Sequence, residues 1–318
     1  MRGYIGRRLL QLFGVVVVAS ILVWAMVYAL PGDPARVVAG QNATTVQLEA
    51  ARATMALDDP VWKQYTTWIG QVAHGNFGES FQSGQPVGHL ISQRLPATLH
   101  LAIFAALIGV ACAIPISLFG ALYPMRWPGR TASLINALSL GIPVFWVGII
   151  LALVFGLYLG WLPTASSYIS IWEDPGLSLR NLVLPALSLG FLASGILSRF
   201  LRASLTEALG SDYVRAARAK GLSETTVVLR HALRNALVPF LTVLGLATGS
   251  FIGGAVVTEA VFNYPGLGQL LLQAILNRDY RLIQGVVLLV VVAYSVINIL
   301  VDVSYAFADP RVRLESDN

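Results

Sequence analysis

From Thr98 to Leu122 the chain reads TLHLAIFAALIGVACAIPISLFGAL, without an Asp, Glu, Lys or Arg. A helix needs about 20 apolar residues to cross the hydrocarbon core of a bilayer. Barrel strands would instead alternate over about ten residues. A lone segment in lipid must satisfy its own backbone hydrogen bonds, so this run reads as a transmembrane helix. Working outward, segments 9–30, 132–159, 181–203, 236–260 and 283–306 are of the same kind. The expected fold class is all-α and integral to the membrane, with six transmembrane helices.

Composition agrees. Hydrophobic residues make up 56% of the 318 and charged residues 12%, whereas a soluble domain is about one-quarter charged. The mean hydropathy is +0.70. Lipid must therefore solvate part of the surface. The net charge of +5 is a topology signal and not a nucleic-acid footprint, because Lys and Arg are unevenly placed. Fourteen of the 21 fall on the side of the N-terminus, with Arg199, Arg202, Arg215, Arg218, Lys220, Arg230 and Arg234 around one loop. Both termini are accordingly expected in the cytoplasm. Cys112 is the single cysteine, which rules out an intrachain disulfide and a thiolate metal cluster. Arg2, Arg7 and Arg8 precede an apolar stretch too long for a secretory signal and followed by no small-residue cleavage site. It reads as a retained first helix, ended by the turn Pro31-Gly32-Asp33-Pro34.

Three regions follow: 1–30, a tail and first helix; 31–95, an external helical segment; and 96–318, a five-helix core carrying a cytoplasmic helix near 211–221. In the external segment Thr44 and Gln47 fit a capping box for a helix reaching about Ala56. Asp59 is placed as cap of a second helix, with Pro60 at its first position. Val61, Tyr65, Trp68 and Val72 keep helical spacing, and Gly75 suits the end. The segment reads as a lid on the helix ends or as a docking surface for an external partner.

The inner loop 204–235 is the most informative. Ser211 can cap a helix, with Asp212 favoured in its first turn and Arg218 and Lys220 in its last. Gly221 is the natural left-handed stop, and Ser223 can cap the helix that follows. The predicted object is helix, glycine elbow, helix. Ala216, Ala217 and Ala219 make the first helix thin, so a partner can approach closely, and a short amphipathic helix can seat in another protein's groove. A basic cytoplasmic hairpin is also common in membrane proteins of many kinds.

The residues Asp212-Tyr213-Val214-Arg215-Ala216-Ala217-Arg218-Ala219-Lys220-Gly221, followed by His231-Ala232-Leu233-Arg234-Asn235-Ala236-Leu237-Val238-Pro239, resemble the cytoplasmic signature of binding-protein-dependent ABC importer permeases. The similarity is to the dipeptide/oligopeptide/nickel branch, B-type subunit. Arg215 stands where the general signature has Glu, while Ala216, Ala217 and Gly221 match it. The signature's Ile-x-Leu-Pro ending is replaced by His231-Ala232-Leu233-Arg234, with Pro239 later. Further matching blocks are Arg7-Arg8-Leu9-Leu10-Gln11, Leu57-Asp58-Asp59-Pro60, Gly75-Asn76-Phe77-Gly78, Arg94-Leu95-Pro96-Ala97-Thr98, the run Glu259 to Gly268, and Asp309-Pro310-Arg311.

The resemblance implies the type I (MetI-like) permease fold in a bacterial inner membrane, importing dipeptides or oligopeptides. It implies a second homologous permease, two ATPase subunits that bind ATP and Mg, and an external substrate-binding protein. The ATPase-coupling residues would be Asp212, Tyr213, Arg215, Ala216, Ala217, Arg218, Lys220 and Gly221. Switching a two-state pathway almost fully takes about 5.5 kcal/mol of differential stabilisation. Nickel or glutathione is the alternative cargo within the family.

Other chemistry finds no support in the residues. Neither Lys63 nor Lys220 lies in a phosphate-cradling Gly-rich loop. The histidines His74, His89, His100 and His231 are scattered, so neither a metal nor another cofactor is expected in the chain. Ser194-Gly195 and Gly249-Ser250 lack the pattern of a nucleophile elbow. A self-sufficient secondary transporter usually needs a midplane carboxylate or a strongly interrupted helix pair; Asp302 lies near the inner end of its span and better suits an interhelical bond or a pair with Arg7 or Arg8. Glu259 and Arg199 sit at span edges. Pro115, Pro143 and Pro185 are candidate kinks. Trp127, Trp161 and Trp172 fall at predicted interfaces.

Overall fold

A computed structural model describes residues 2–29, 34–39, 43–54 and 57–308, some of them by backbone alone. The turn at 31–33, the block at 309–311 and the side chain of Asp302 lie outside the described residues. The helices are α1 Arg2–Ala29, α2 Pro34–Ala39, α3 Thr45–Thr54, α4 Val61–Ala73, α5 Val87–Leu122, α6 Trp127–Gly141, α7 Val144–Leu151, α8 Pro175–Gly210, α9 Asp212–Ala219, α10 Glu224–Thr226, α11 Leu233–Val261, α12 Leu267–Leu276 and α13 Tyr280–Ala308. Wider π-helical turns extend α7 over Ala152–Tyr158 and join α10 to α11 over Val227–Ala232. The only pairing of extended chain among the described residues is an isolated bridge between Glu79 and Pro86.

Four helices are long and apolar enough to span a bilayer, and up to six spans result if each of two bent pairs counts as one. The segment expected as a single span over 132–159 is one of those pairs. α6 and α7 meet at a 107° bend. Pro143 disfavours helical backbone at the residue before it, and Ile142 is extended, with φ −96° and ψ 128°. Pro185, by contrast, lies within the continuous α8, and Pro115 lies within α5.

The chain divides into two compact units, one of Arg2–Thr98 with Pro265–Val296, the other of Leu99–Tyr264 with the end of α13 from Ile297. In the second, α8 is central. Of its most apolar stretch 72% is buried, against 11% for α1. Between helices in lipid there is little hydrophobic drive, so small residues and hydrogen bonds must hold them together. The sequence of α8 supplies both. A Cβ on Gly190 would meet Ile108 at 2.8 Å, and one on Gly109 of α5 would meet Ala193 at 2.7 Å. On the α6 side, Asn136 donates to Ser198 Oγ at 2.9 Å, and the Arg202 guanidinium donates to Ser133 Oγ at 2.8 Å. A Cβ on Gly254 of α11 would lie 3.1 Å from Leu189 of α8.

The first unit is built around Val87, Ile91, Leu267, Leu270, Tyr280 and Ile283. The capping box forms as read: Thr44 N–H donates to Gln47 Oε1 at 2.9 Å, and Gln47 N–H to Thr44 Oγ1 at 3.4 Å. At α4 the expectation shifts by one residue. Pro60 is the cap, and Asp59 pairs with Lys63 at 2.9 Å. Tyr65 hydrogen-bonds Ser20 at 2.8 Å, and its ring meets Trp24 edge-on. Ser20 lies about 14 Å along α1 from its last residue at 1.5 Å per residue. α4 therefore packs along the side of α1 and does not sit over its end.

Asp279, which is 1% exposed, is the main polar tie of this unit. Its carboxylate accepts from Ser80 Oγ at 2.5 Å and from the amides of Phe81, Gln82 and Leu282 at 3.2–3.4 Å. It thereby caps α13 and pins the loop before α5 in one contact set.

A Cβ on Gly195 would lie 2.1 Å from Ser139 Oγ and 2.9 Å from its Cβ. Gly195→Ala is expected to destabilise the protein by about 1–3 kcal/mol, read as a lower melting temperature in detergent. Adding Ser139→Gly, which removes both clashing atoms, is expected to restore most of the loss. Equal melting of Gly195→Ala and the native chain would show that α6 and α8 do not approach this closely.

Candidate functional site

α8 hands over directly to α9. Ser211 separates them and, unlike the sequence expectation, caps nothing ahead of it. Its hydroxyl donates back to Ala208 O, closing α8. Backbone geometry alone starts α9, with Arg215 N–H on Ser211 O at 3.1 Å.

Gly221 does what its type predicts. Its φ is +79°, in the region where a side chain is strained. Leu222 N–H donates to Ala217 O at 3.4 Å and Gly221 N–H to Arg218 O at 2.9 Å, the paired bonds of a Schellman stop. Ser223 then accepts from Thr226 N–H at 3.4 Å, as a cap. The predicted helix, elbow and helix are all present.

Across the elbow, Arg218 donates through Nε to Glu224 Oε2 at 3.1 Å and through a terminal nitrogen to Glu224 Oε1 at 2.6 Å. Such two-pronged pairing fixes geometry as well as supplying energy. It holds the Glu224 carboxyl below the usual carboxylate range and raises the Arg218 guanidinium. Sequence reading assigned Arg218 to the helix dipole and missed Glu224, six residues on. An Arg and a Glu flanking a Gly stop were the available signal.

Of the eight coupling candidates, six are grouped on open surface: Asp212, Tyr213, Arg215, Ala216, Lys220 and Gly221. Asp212 and Arg215 pair at 3.2 Å, and Arg215 also reaches Gly210 O. Arg218 is exposed but engaged with Glu224. Ala217 departs from the expected partner-facing role. It is 6% exposed and shares the inward face with Val214, which is 0% exposed. α9 packs against α8 and the π-helical turn, so the small side chain of Ala217 serves close approach within the chain. Ala216 and Ala219 keep the outward face thin.

At the other end of α11, the run beginning at Glu259 forms a second buried polar region. Glu259 is 0% exposed, and its carbonyl accepts from Tyr264 N–H at 2.8 Å. Asn263 takes the left-handed position with φ +50°. Ser166 N–H donates to Phe262 O at 2.9 Å, tying down the loop after α7. Burial pushes the Tyr264 phenol up, with Tyr168 and Glu259 adding to the shift. Trp127 and Trp172 are strongly exposed, at 77% and 91%, and Trp161 is exposed too. No group of three or more His, Cys, Asp or Glu able to hold a metal occurs among the described residues.

The described residues form a multi-pass, all-α membrane chain. The family described as "Binding-protein-dependent transport system inner membrane component" matches residues 113–314, and its N-terminal component matches residues 1–102. The chain belongs to this family of ABC importer permeases and is a multi-pass inner-membrane protein. The Glutathione transport system permease protein GsiC of Escherichia coli (strain K12) is 40% identical over 313 residues, 98% of this chain and 99% of that one. The protein of the same name from Shigella dysenteriae serotype 1 matches equally. Among solved structures, the inward-facing MetNI methionine ABC transporter has a chain with TM-score 0.58 and 18% identity, over 69% of this chain and 96% of that one. A chain of an amino acid ABC transporter has TM-score 0.51 and 15% identity, over 77% and 98%. These two likenesses bear on the fold alone.

The Arg218–Glu224 clamp has a testable pH signature. Because the Glu224 pKa is lowered on folding, the clamp's contribution is present above the ordinary carboxylate pKa and is lost as pH falls through the lowered value. Glu224→Gln is expected to lower the amide protection factors at Gly221 and Leu222 several-fold at neutral pH, and to abolish the fall in protection that the native chain is expected to show in acid. Identical exchange in both proteins would show that the pair is not formed in solution.

Proposed function

We propose that this chain forms one half of the translocation pathway of an ATP-driven importer of small peptides, paired with a second homologous permease. Two ATPase subunits bind ATP and Mg beneath it, and an external binding protein delivers the cargo. The observation that carries the reading is the end-to-end match to a permease family of ABC importers, 98% of the chain at 40% identity to one relative. α9 is the docking helix for an ATPase subunit. Its open face of Tyr213, Arg215 and Ala216, its stiff stop at Gly221 and its one-residue link to the 36-residue α8 support that role, because a rigid lever transmits motion that a loose loop would dissipate.

Glutathione is a second reading of the cargo, favoured by the name of the GsiC relatives, glutathione transport system permeases. Glutathione is itself a small peptide with a γ-glutamyl linkage. Substrate choice rests largely on the binding protein, so the two cargoes are separated by transport and not by this chain's sequence.

Two experiments test these statements. Proteoliposomes containing the importer isolated through this chain, with its binding protein and ATP, are expected to accumulate a labelled dipeptide or glutathione. Accumulation of neither would overturn the cargo class. Separately, Tyr213→Ala with Ala216→Glu is expected to lower ATPase recovery in affinity isolation at least tenfold while keeping the second permease. Both positions are exposed, so the chain should still fold. Undiminished ATPase recovery would overturn α9 as the docking element.

A further inference from the structure

Among the described residues, four helices end on the same pair of backbone bonds. The left-handed residue in that motif is Gly75 after α4, Gly221 after α9, Asn263 after α11 and Arg278 after α12. Glycine and asparagine tolerate the position. Arginine occupies it at a cost, yet Arg278 holds φ +54°. Such residues persist where the surrounding structure holds them, and they cluster at ligand sites. The guanidinium makes no hydrogen bond or ion pair with any described residue, although Asp279 is adjacent. The Asp279 carboxylate faces the other way, onto Ser80, Phe81, Gln82 and Leu282.

What Arg278 does border is a cavity of about 350 Å³. Its other walls are apolar or aromatic: Met26 of α1, Ile275 of α12, and Tyr280, Ile283 and Val287 of α13 among them. Every one of these residues lies in the first compact unit. The volume is that of a small-molecule site. Such a lining gives a water too few partners. It offers a peptide backbone no set of donors and acceptors either.

The depth of the cavity in the bilayer follows from the same residues. α1 continues to Ala29, about 5 Å beyond Met26 along the helix, and α13 begins at Tyr280, beside Arg278 and Arg281. The cavity therefore lies within about one helical turn of these two helix ends, on the side away from the N-terminus. That is the level at which acyl chains give way to phosphates. An exposed arginine bordering an otherwise apolar slot at that depth matches one ligand, which is hydrocarbon at one end and anionic at the other.

We propose that this cavity is a specific phospholipid site, one acyl chain lying against Met26, Ile275, Ile283 and Val287 with the phosphate on Arg278. The lipid bridges α1, α12 and α13, and so supports the unit that also carries α4. Arg278 keeps its strained backbone because a glycine there would leave the headgroup without its cation.

The test uses the complete importer purified and delipidated in maltoside detergent. Its melting temperature is followed while dioleoylphosphatidylglycerol or, in a parallel arm, dioleoylglycerol is added, and tightly held lipids are counted by native mass spectrometry. The native complex is expected to show a saturable rise with phosphatidylglycerol, little with dioleoylglycerol, and a retained phospholipid. Arg278→Gly relieves the left-handed strain, so it should melt no lower than native without lipid. It should nevertheless need roughly tenfold more phosphatidylglycerol for the same rise, as expected for losing one charged contact, and retain one lipid fewer. Ile275→Trp, at an exposed position of the wall, should lose the same lipid by filling the slot. An equal response of Arg278→Gly and native complex would overturn the proposal. So would equal stabilisation by dioleoylglycerol, or an unchanged lipid count in both variants, as when the second permease covers the cavity.

Discussion

Close approach along α8 is the constraint on which the rest of the larger unit depends. In water, burying leucines would suffice to gather these helices. In lipid it does not, because the tails are as apolar as the side chains they would replace. α8 therefore carries Gly190, Ala193 and Gly195 where α5 and α6 come in, and Ser198 and Arg202 where the contact becomes polar. Close contact at the glycines brings the backbones near enough for Asn136 and Ser133 to reach their partners. The order matters: a wider spacing would leave Asn136 and the Arg202 guanidinium short of hydrogen bonds in an apolar surrounding, which is costly. The packing and the polar contacts stand or fall together.

A helix held in this way on two sides is a suitable base for a projecting element. α9 begins one residue beyond α8, turned back by Ser211 and seated through Val214 and Ala217. The elbow is then closed twice, by the backbone bonds around Gly221 and by the Arg218–Glu224 pair. Surface ion pairs contribute little to stability one at a time. Here the pair adds geometric definition to a turn that glycine alone would leave with more freedom.

Much of this was legible in residue order, for physical reasons. Long apolar runs announce helices whatever surrounds them, and 98–122 ends at the same Leu122 in the structure. Gly221, Gly75 and the Thr44–Gln47 box are local devices, and each formed as read. What failed to show was long-range or side-specific. The 107° bend between α6 and α7 needs the backbone at Ile142 as well as Pro143. Which face of α9 turns inward depends on α8 and the π-helical turn, so Ala216 and Ala217 look alike in sequence and differ in burial. Asp279 reads as a loop residue until the chain at Ser80, 199 positions away, is folded onto it.

Buried polar groups follow the same logic at the membrane edge. Glu259 and Asp279 are both essentially inaccessible, and both stand beside a left-handed stop, at Asn263 and Arg278. A helix that ends near the hydrocarbon boundary leaves carbonyls that water cannot reliably reach. The Schellman bonds satisfy some of them, Tyr264 N–H onto Glu259 O and Asp279 N–H onto Ala274 O at 2.8 Å each. The same turn delivers the Asp279 carboxylate to the Leu282 amide in the first turn of α13, so one compact motif both ends α12 and starts its successor. The backbone demand is alike at the two stops, and asparagine meets it at low strain. That an arginine occupies the second one is therefore not explained by the turn. The cavity that the side chain borders supplies a reason.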